Sequence, residues 1–260
     1  MREVLFIHGG PGLNSEPEKR LLSSHLKEFK THFWNEPSEL RGQKISTNAY
    51  QDWLNSIKKM QPENSILIAN SFGSLGALHL IEQEIKLKKI VFLSPTIQLH
   101  QVFLKMIELA IFDFQKRNDD KANEIQKLKN TISSFYDSSM QKALDLTFQD
   151  PDLFPHYWQN YKILGEWGAI LGEQEFQFDF QSQKAVLNNL KDKFTELPSL
   201  KSNARVTVIY GENDPVWLDS NISLFQSMFK DIKFHKFEDC GHFPHLENKE
   251  LFIKVIEQDF

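Results

Sequence analysis

Ser65-Ile66-Leu67-Ile68-Ala69-Asn70-Ser71-Phe72-Gly73 is the stretch that decides the fold. A short apolar run ends at Ala69, and a helical pattern begins at residue 74. A serine on such a strand–turn–helix corner is held in a strained backbone that lifts its hydroxyl clear of the sheet, and small residues flank it because strand and helix approach closely. The usual pattern has glycine two residues before and two after the serine. Gly73 is present, and Ala69 stands at the first position, the mildest departure available. An ordinary turn serine gives the same short pattern, so Ser71 needs supporting residues elsewhere.

Working outward, apolar or β-branched runs recur at residues 4–7, 89–93, 206–210 and 232–237, with a weaker one at 31–34. With the run before Ser71, all but 232–237 and 31–34 are nearly continuously apolar, as strands buried on both faces of a parallel sheet are. Residues 232–237 alternate, which suits an edge strand. Helical patterns at 16–29, 47–59, 74–84, 219–228 and 249–258 separate these runs. The alternation predicts an α/β fold, a mostly parallel sheet flanked by helices on both faces. Residues 97–200 break it, with helix-like stretches at 98–116, 121–136 and 184–197 and no convincing strand. The expectation is a core domain of residues 1–96 and 201–260 and an inserted helical lid at 97–200.

Three more stretches fall just past expected strands. His8-Gly9-Gly10-Pro11-Gly12 turns sharply after 4–7, and its N–H groups can face a developing oxyanion. No Gly-Lys-Ser/Thr and no GxGxxG spacing supports a nucleotide loop. Tyr210-Gly211-Glu212-Asn213-Asp214-Pro215 offers Asp214 as an acid at a strand's carboxyl end, with Glu212 as the alternative. Asp239-Cys240-Gly241-His242-Phe243-Pro244-His245 offers His242 as a base that takes the serine proton, with His245 competing. A metal held by Asp239, His242 and His245 fits no common zinc spacing, and neither metal nor cofactor is expected.

Composition narrows the partners. The chain has 260 residues, a formal net charge of −5 and no long basic run, which excludes nucleic acid and anionic membranes as expected partners. One cysteine, Cys240, permits no internal disulfide. The apolar run before His8 is too short for a signal peptide or a membrane span, so the expectation is a cytoplasmic chain. The 22 phenylalanines and 5 tryptophans suit a deep aromatic core or an apolar pocket. Within residues 97–200, Phe103, Met106, Phe112, Phe114, Phe135, Tyr136, Phe154, Tyr157, Trp158 and Trp167 can roof a pocket or, more simply, form a lid core packed against the main domain.

Taken together, the four stretches resemble the α/β-hydrolase superfamily over nearly the whole chain outside the lid. They stand in the order Ser71, Asp214, His242 that this fold uses for its triad. The resemblance implies backbone oxyanion donors at Gly10 and Phe72, and residues 97–200 lie where that family carries a lid. Residues 34–42 are similar to its strand and loop ending in Arg-Gly. Residues 4–7 correspond to the family's third strand, so the amino-terminal hairpin is missing. A smaller sheet is expected, with an edge that is covered or serves as a contact surface, and a homo-oligomer is compatible with that. The HGGPG form is also similar to the oxyanion loop of proline iminopeptidases, whose lid acids hold a substrate's amino terminus. Glu166 beside Trp167, or Glu173 and Glu175, would take that part here, the alternative being a solvated acidic face. The implied function is a serine hydrolase that cleaves a small or medium ester or thioester through an acyl-enzyme on Ser71. An aminopeptidase, a carbon–carbon hydrolase and a non-catalytic ligand-binding member are the alternatives.

Overall fold

The computed structural model describes residues 2–40, 48–173, 177–190 and 200–260. The expected strands appear as β1 (Arg2–Ile7), β2 (Phe29–Trp34), β3 (Ile66–Asn70), β4 (Lys89–Leu93), β5 (Ser202–Gly211) and β6 (Phe229–Phe237). They form one six-stranded parallel sheet in the order β2-β1-β3-β4-β5-β6. The alternating strand is indeed an edge, β6, and β2 is the other edge. The chain runs from β1 out to β2 and then back past β1 to β3, so strand order reverses between β1 and β3. Register there pairs Ile7 with Ala69. The loops leaving these two strands begin side by side at the carboxyl end of the sheet, the usual position of a ligand crevice in open α/β folds.

Alternate side chains of the central strands feed two cores. Leu5, Ile7, Leu67, Ala69, Phe92, Val206 and Val208 face one layer. It contains residues of α2 (Ala49–Lys58), α3 (Gly73–Glu82), α8 (Phe180–Leu190) and α9 (Ser220–Met228). Val4, Phe6, Ile66, Ile68, Val91 and Ile209 face the other. That layer includes α1 (Glu16–Leu22), the short α10 (Pro244–Glu247), α11 (Lys249–Asp259), and Trp158 and Trp167 from the segment after β4. Continuously apolar strands are what this two-sided burial requires. Glu18 of α1 is buried on the second face, and burial pushes its carboxyl up to about 7.

Between β4 and β5 the described residues form α4 (Leu99–Lys116), α5 (Lys121–Lys129), α6 (Ser138–Phe148), α7 (Tyr161–Leu171) and α8. Phe103, Ile107, Phe114, Ile125, Met140 and Leu144 make a third apolar cluster, which also takes in Val216 from the loop after β5.

Several boundaries differ from expectation for identifiable reasons. The helix expected over 16–29 stops at Leu22, followed by two turns, because Phe29 must pair with Arg2 in the sheet. The helix expected over 121–136 ends at Lys129, and a separate α6 starts after Asp137, whose carboxylate accepts from Ser139 N at 2.8 Å. The unanticipated α7 starts the same way, with Asn160 Oδ1 accepting from Ile163 N at 3.2 Å. The stretch expected at 184–197 begins earlier, at Phe180, and its last part, like Arg41, Gly42 and Glu175, lies outside the described residues. The aromatics named in this segment divide between two clusters: Phe103 and Phe114 lie in the third, and Trp158 and Trp167 in the second core layer against the sheet. Phe103, Phe114, Trp158 and Trp167 are buried, and Phe112 is exposed.

Candidate active site

Ser71 sits at φ +49°, in the left-handed region that a side-chain-bearing residue enters only when its surroundings force it. Its N–H donates to Leu93 O at 2.8 Å, and Ser74 Oγ donates to Ala69 O at 3.0 Å, so β4 and the helix hold the turn from both sides. A Cβ on Gly73 would stand 2.8 Å from His8 O, which explains why only glycine serves there. Ala69 is fully buried between the strands and its methyl is accommodated.

The turn presents Ser71 Oγ 3.0 Å from His242 Nε2, and His242 Nδ1 lies 2.9 Å from Asp214 Oδ2. With the Asp214 carboxylate accepting from Nδ1–H, Nε2 keeps its lone pair toward the serine hydroxyl. Asp214 Oδ1 accepts from Val216 N at 3.0 Å, so both carboxylate oxygens are engaged. Asp214 and His242 are 8% and 5% exposed, dry enough for the charge interaction between them to count. The structure therefore brings Ser71, Asp214 and His242 together from three separate strand ends.

The glycine loop after β1 packs onto the serine turn: a Cβ on Gly9 would lie 3.4 Å from Ser71 Cβ. Gly10 borders open space, and Phe72 is buried against Tyr50 and Trp53 at the start of α3. His8 stacks on Trp34 at 4.9 Å.

The competing residues lie elsewhere. Glu212 is on the surface, 2.7 Å from Lys236 Nζ, and that hydrogen bond holds its carboxyl below the usual range. His245 is fully buried among Phe6, Phe243 and Phe252, with neither ring nitrogen hydrogen-bonded to the described residues. Burial, helped by nearby His242, pushes its pKa down to about 3. Among the described residues no three His, Cys, Asp or Glu side chains are grouped to hold a metal. Nor is any described helix long and apolar enough to cross a membrane. Glu166 is exposed, 4.0 Å from Lys162, and Glu173 is exposed and takes two hydrogen bonds from Arg20.

Two more residues stand near the serine and histidine: Thr96, which nothing in the sequence singles out, and Tyr157, marked there only as one of many aromatics. Thr96 Oγ1 lies 3.5 Å from Ser71 Oγ. Tyr157 sets its ring edge-on to His242, centroids 5.6 Å apart, and its backbone carbonyl accepts from His242 N at 2.7 Å. Burial, and the neighbouring Asp214 charge, push the Tyr157 hydroxyl well above the usual phenol range. The helical segment also meets the glycine loop, where Asp179 N donates to Gly12 O at 2.8 Å. There Glu36 bridges Gly12 N and Ser182 Oγ, at 3.0 and 2.9 Å.

Three solved structures that share this fold are distant in sequence. A proline iminopeptidase-related protein of Thermus thermophilus superposes with a TM-score of 0.67 at 16% identity, covering 99% of this chain and 88% of that one. An epoxide hydrolase of Bacillus megaterium gives 0.63 at 16% identity, with 100% and 93% covered. An esterase of Exiguobacterium antarcticum gives 0.61 at 14% identity, with 99% and 91% covered. No curated protein sequence matches the chain. At these identities the likeness is one of fold. The model of the alpha/beta hydrolase fold family matches residues 3–249, and the chain belongs to that family.

Proposed function

We propose that the protein is a serine hydrolase acting on a small or medium carboxylic ester or thioester. The observation that carries the reading is the left-handed Ser71 with its Oγ 3.0 Å from His242 Nε2, in line with the Asp214 carboxylate. Ser71 Oγ attacks the acyl carbon while its proton passes to Nε2. The resulting imidazolium is held by Asp214 and gives that proton to the leaving alcohol or thiol. Water then repeats the sequence on the acyl-enzyme and releases the acid. Gly10 and Phe72 supply the N–H groups for the oxyanion; losing one such donor typically raises a barrier by about 3–4 kcal/mol.

The aminopeptidase alternative draws support from the HGGPG loop. It is weakened by Glu166 and Glu173, both exposed and engaged by basic side chains at the surface. A fluorophosphonate probe is expected to label Ser71 in the intact protein. Ser71→Ala should abolish both labelling and p-nitrophenyl ester turnover with the far-UV spectrum unchanged; unchanged turnover in that variant sinks the mechanism. Faster hydrolysis of aminoacyl-naphthylamides than of p-nitrophenyl esters would transfer the reading to the aminopeptidase.

A further inference from the structure

His242 is aligned from one side by Asp214, but its own backbone has no strand to hold it. It lies in the loop between β6 and α10, and that loop is gripped from outside the sheet. The Glu247 carboxylate accepts from Gly241 N at 2.9 Å through Oε1. Its Oε2 accepts from Gln159 N at 2.6 Å and Asn160 N at 2.8 Å. One side chain thus bridges the residue before His242 to the segment that leads into α7. The same two segments touch again where His242 N donates to Tyr157 O. They approach so closely that a Cβ on Gly241 would fall 2.3 Å from Tyr157 O. The far end of the gripped segment is fixed too, since Asn160 caps α7 with its own side chain.

From this geometry we infer that Glu247 is a positioning residue for the hydrolytic site, a three-amide staple that seats residues 157–160 on the histidine loop and so sets the His242–Ser71 distance. The inference rests on the serine-hydrolase reading for its kinetic consequence, though the staple itself can be measured without it. Charge is essential to the device. A carboxylate accepts at both oxygens, whereas an amide of the same shape accepts at one and turns an NH2 toward the other set of N–H groups. Glu247→Gln therefore keeps the volume and opens one arm of the staple. The chemical step depends steeply on alignment, and a misplacement of about 1 Å costs on the order of a hundredfold.

The test compares wild type, Glu247→Gln and the control Glu250→Gln, whose carboxylate is exposed one turn further on. The staple predicts that Glu247→Gln lowers kcat on a p-nitrophenyl ester by about tenfold to a hundredfold. KM should change less than about threefold and phosphonylation of Ser71 should slow in step, because binding by the rest of the pocket survives. Amide hydrogen exchange of peptides spanning 157–160 and 240–243 should rise together. Glu250→Gln should match wild type in every readout. A kcat within twofold of wild type, a change confined to KM, or unaltered exchange in both peptides overturns the inference. If wild type shows neither turnover nor labelling, the hydrolase reading fails, and the exchange measurement alone then decides the staple.

Discussion

The serine turn and the histidine loop are two ends of one 3.0 Å contact, yet they are held in opposite ways. The serine turn is fixed from within the sheet. It is the direct continuation of β3, its N–H goes to β4, and Gly73 closes it against the carbonyl of His8. The histidine loop touches the chain just past the end of β5, where Asn213 N donates to Cys240 O at 2.9 Å. Around His242 itself it is fixed from outside, by the Tyr157 carbonyl and by Glu247, both bound up with the helical segment between β4 and β5. The first is a self-contained motif. The second is complete only when a distant stretch of chain has docked on it, so errors in that docking reach the chemistry directly.

The widest separation is expected between the two acids on one loop. Asp214→Asn should cut ester turnover by about ten-thousandfold through loss of the required histidine tautomer. Glu212→Gln, whose carboxylate meets only Lys236 at the surface, should stay within twofold of wild type. Equal losses in steady-state assays of the two variants would undo the assignment of the acid.

The next effect separates the two modes of support. Gly241→Ala drives a methyl toward Tyr157 O and should lower turnover by about a hundredfold by lifting the histidine loop off its seat. Gly73→Ala drives one toward His8 O inside the sheet layer, and its main symptom should be stability, about 1–3 kcal/mol by urea unfolding. If both variants lose stability and activity in the same proportion, the two regions are not held differently after all.

A smaller effect concerns two buried groups of the core layer beneath the histidine loop. Glu18 keeps its proton up to about pH 7 when folded and releases it near 4.5 when unfolded. Stability from this group therefore falls as pH rises across that window, by roughly 3 kcal/mol in all. His245 behaves in the opposite sense. Unfolded, it takes a proton below about 6.5, and folded, only near 3, so its share of stability falls as pH drops through that range. The two slopes oppose each other between about pH 4.5 and 6.5. Glu18→Gln should raise the urea midpoint at pH 8 more than at pH 4.5, and His245→Phe should raise it at pH 4 more than at pH 7. Midpoint differences from wild type that do not vary with pH would show that neither group titrates as its burial demands.

The same contrast explains what could be read from the amino acids. The sheet was legible because strands buried on both faces are written as unbroken apolar runs, and glycines mark the loops that follow them. Ser71, His242 and Asp214 each stand beside such punctuation, and the structure brings them together. Asp214 is the acid the sequence favours, with Glu212 as its rival, and the coordinates part them by setting Glu212 against Lys236 at the surface. In the helical segment the signals were single capping residues, Asp137 and Asn160, among mixed aromatic and charged neighbours, and α6 and α7 went unanticipated. The Glu247 bridge left no local trace, because its partners are backbone amides six and almost ninety positions away.

Val216, two positions past Asp214, is buried in the apolar cluster formed by α4, α5 and α6. Lys105 of α4 also donates to the carbonyl of Trp217 at 2.5 Å. The acid's loop is thus partly owned by the helical segment, as the histidine's is. This makes the segment a poor candidate for modular exchange. A segment transplanted from a relative would have to bring its own complements to Gly12, Val216 and Gly241. Without them the loops that carry Asp214 and His242 would be left out of register.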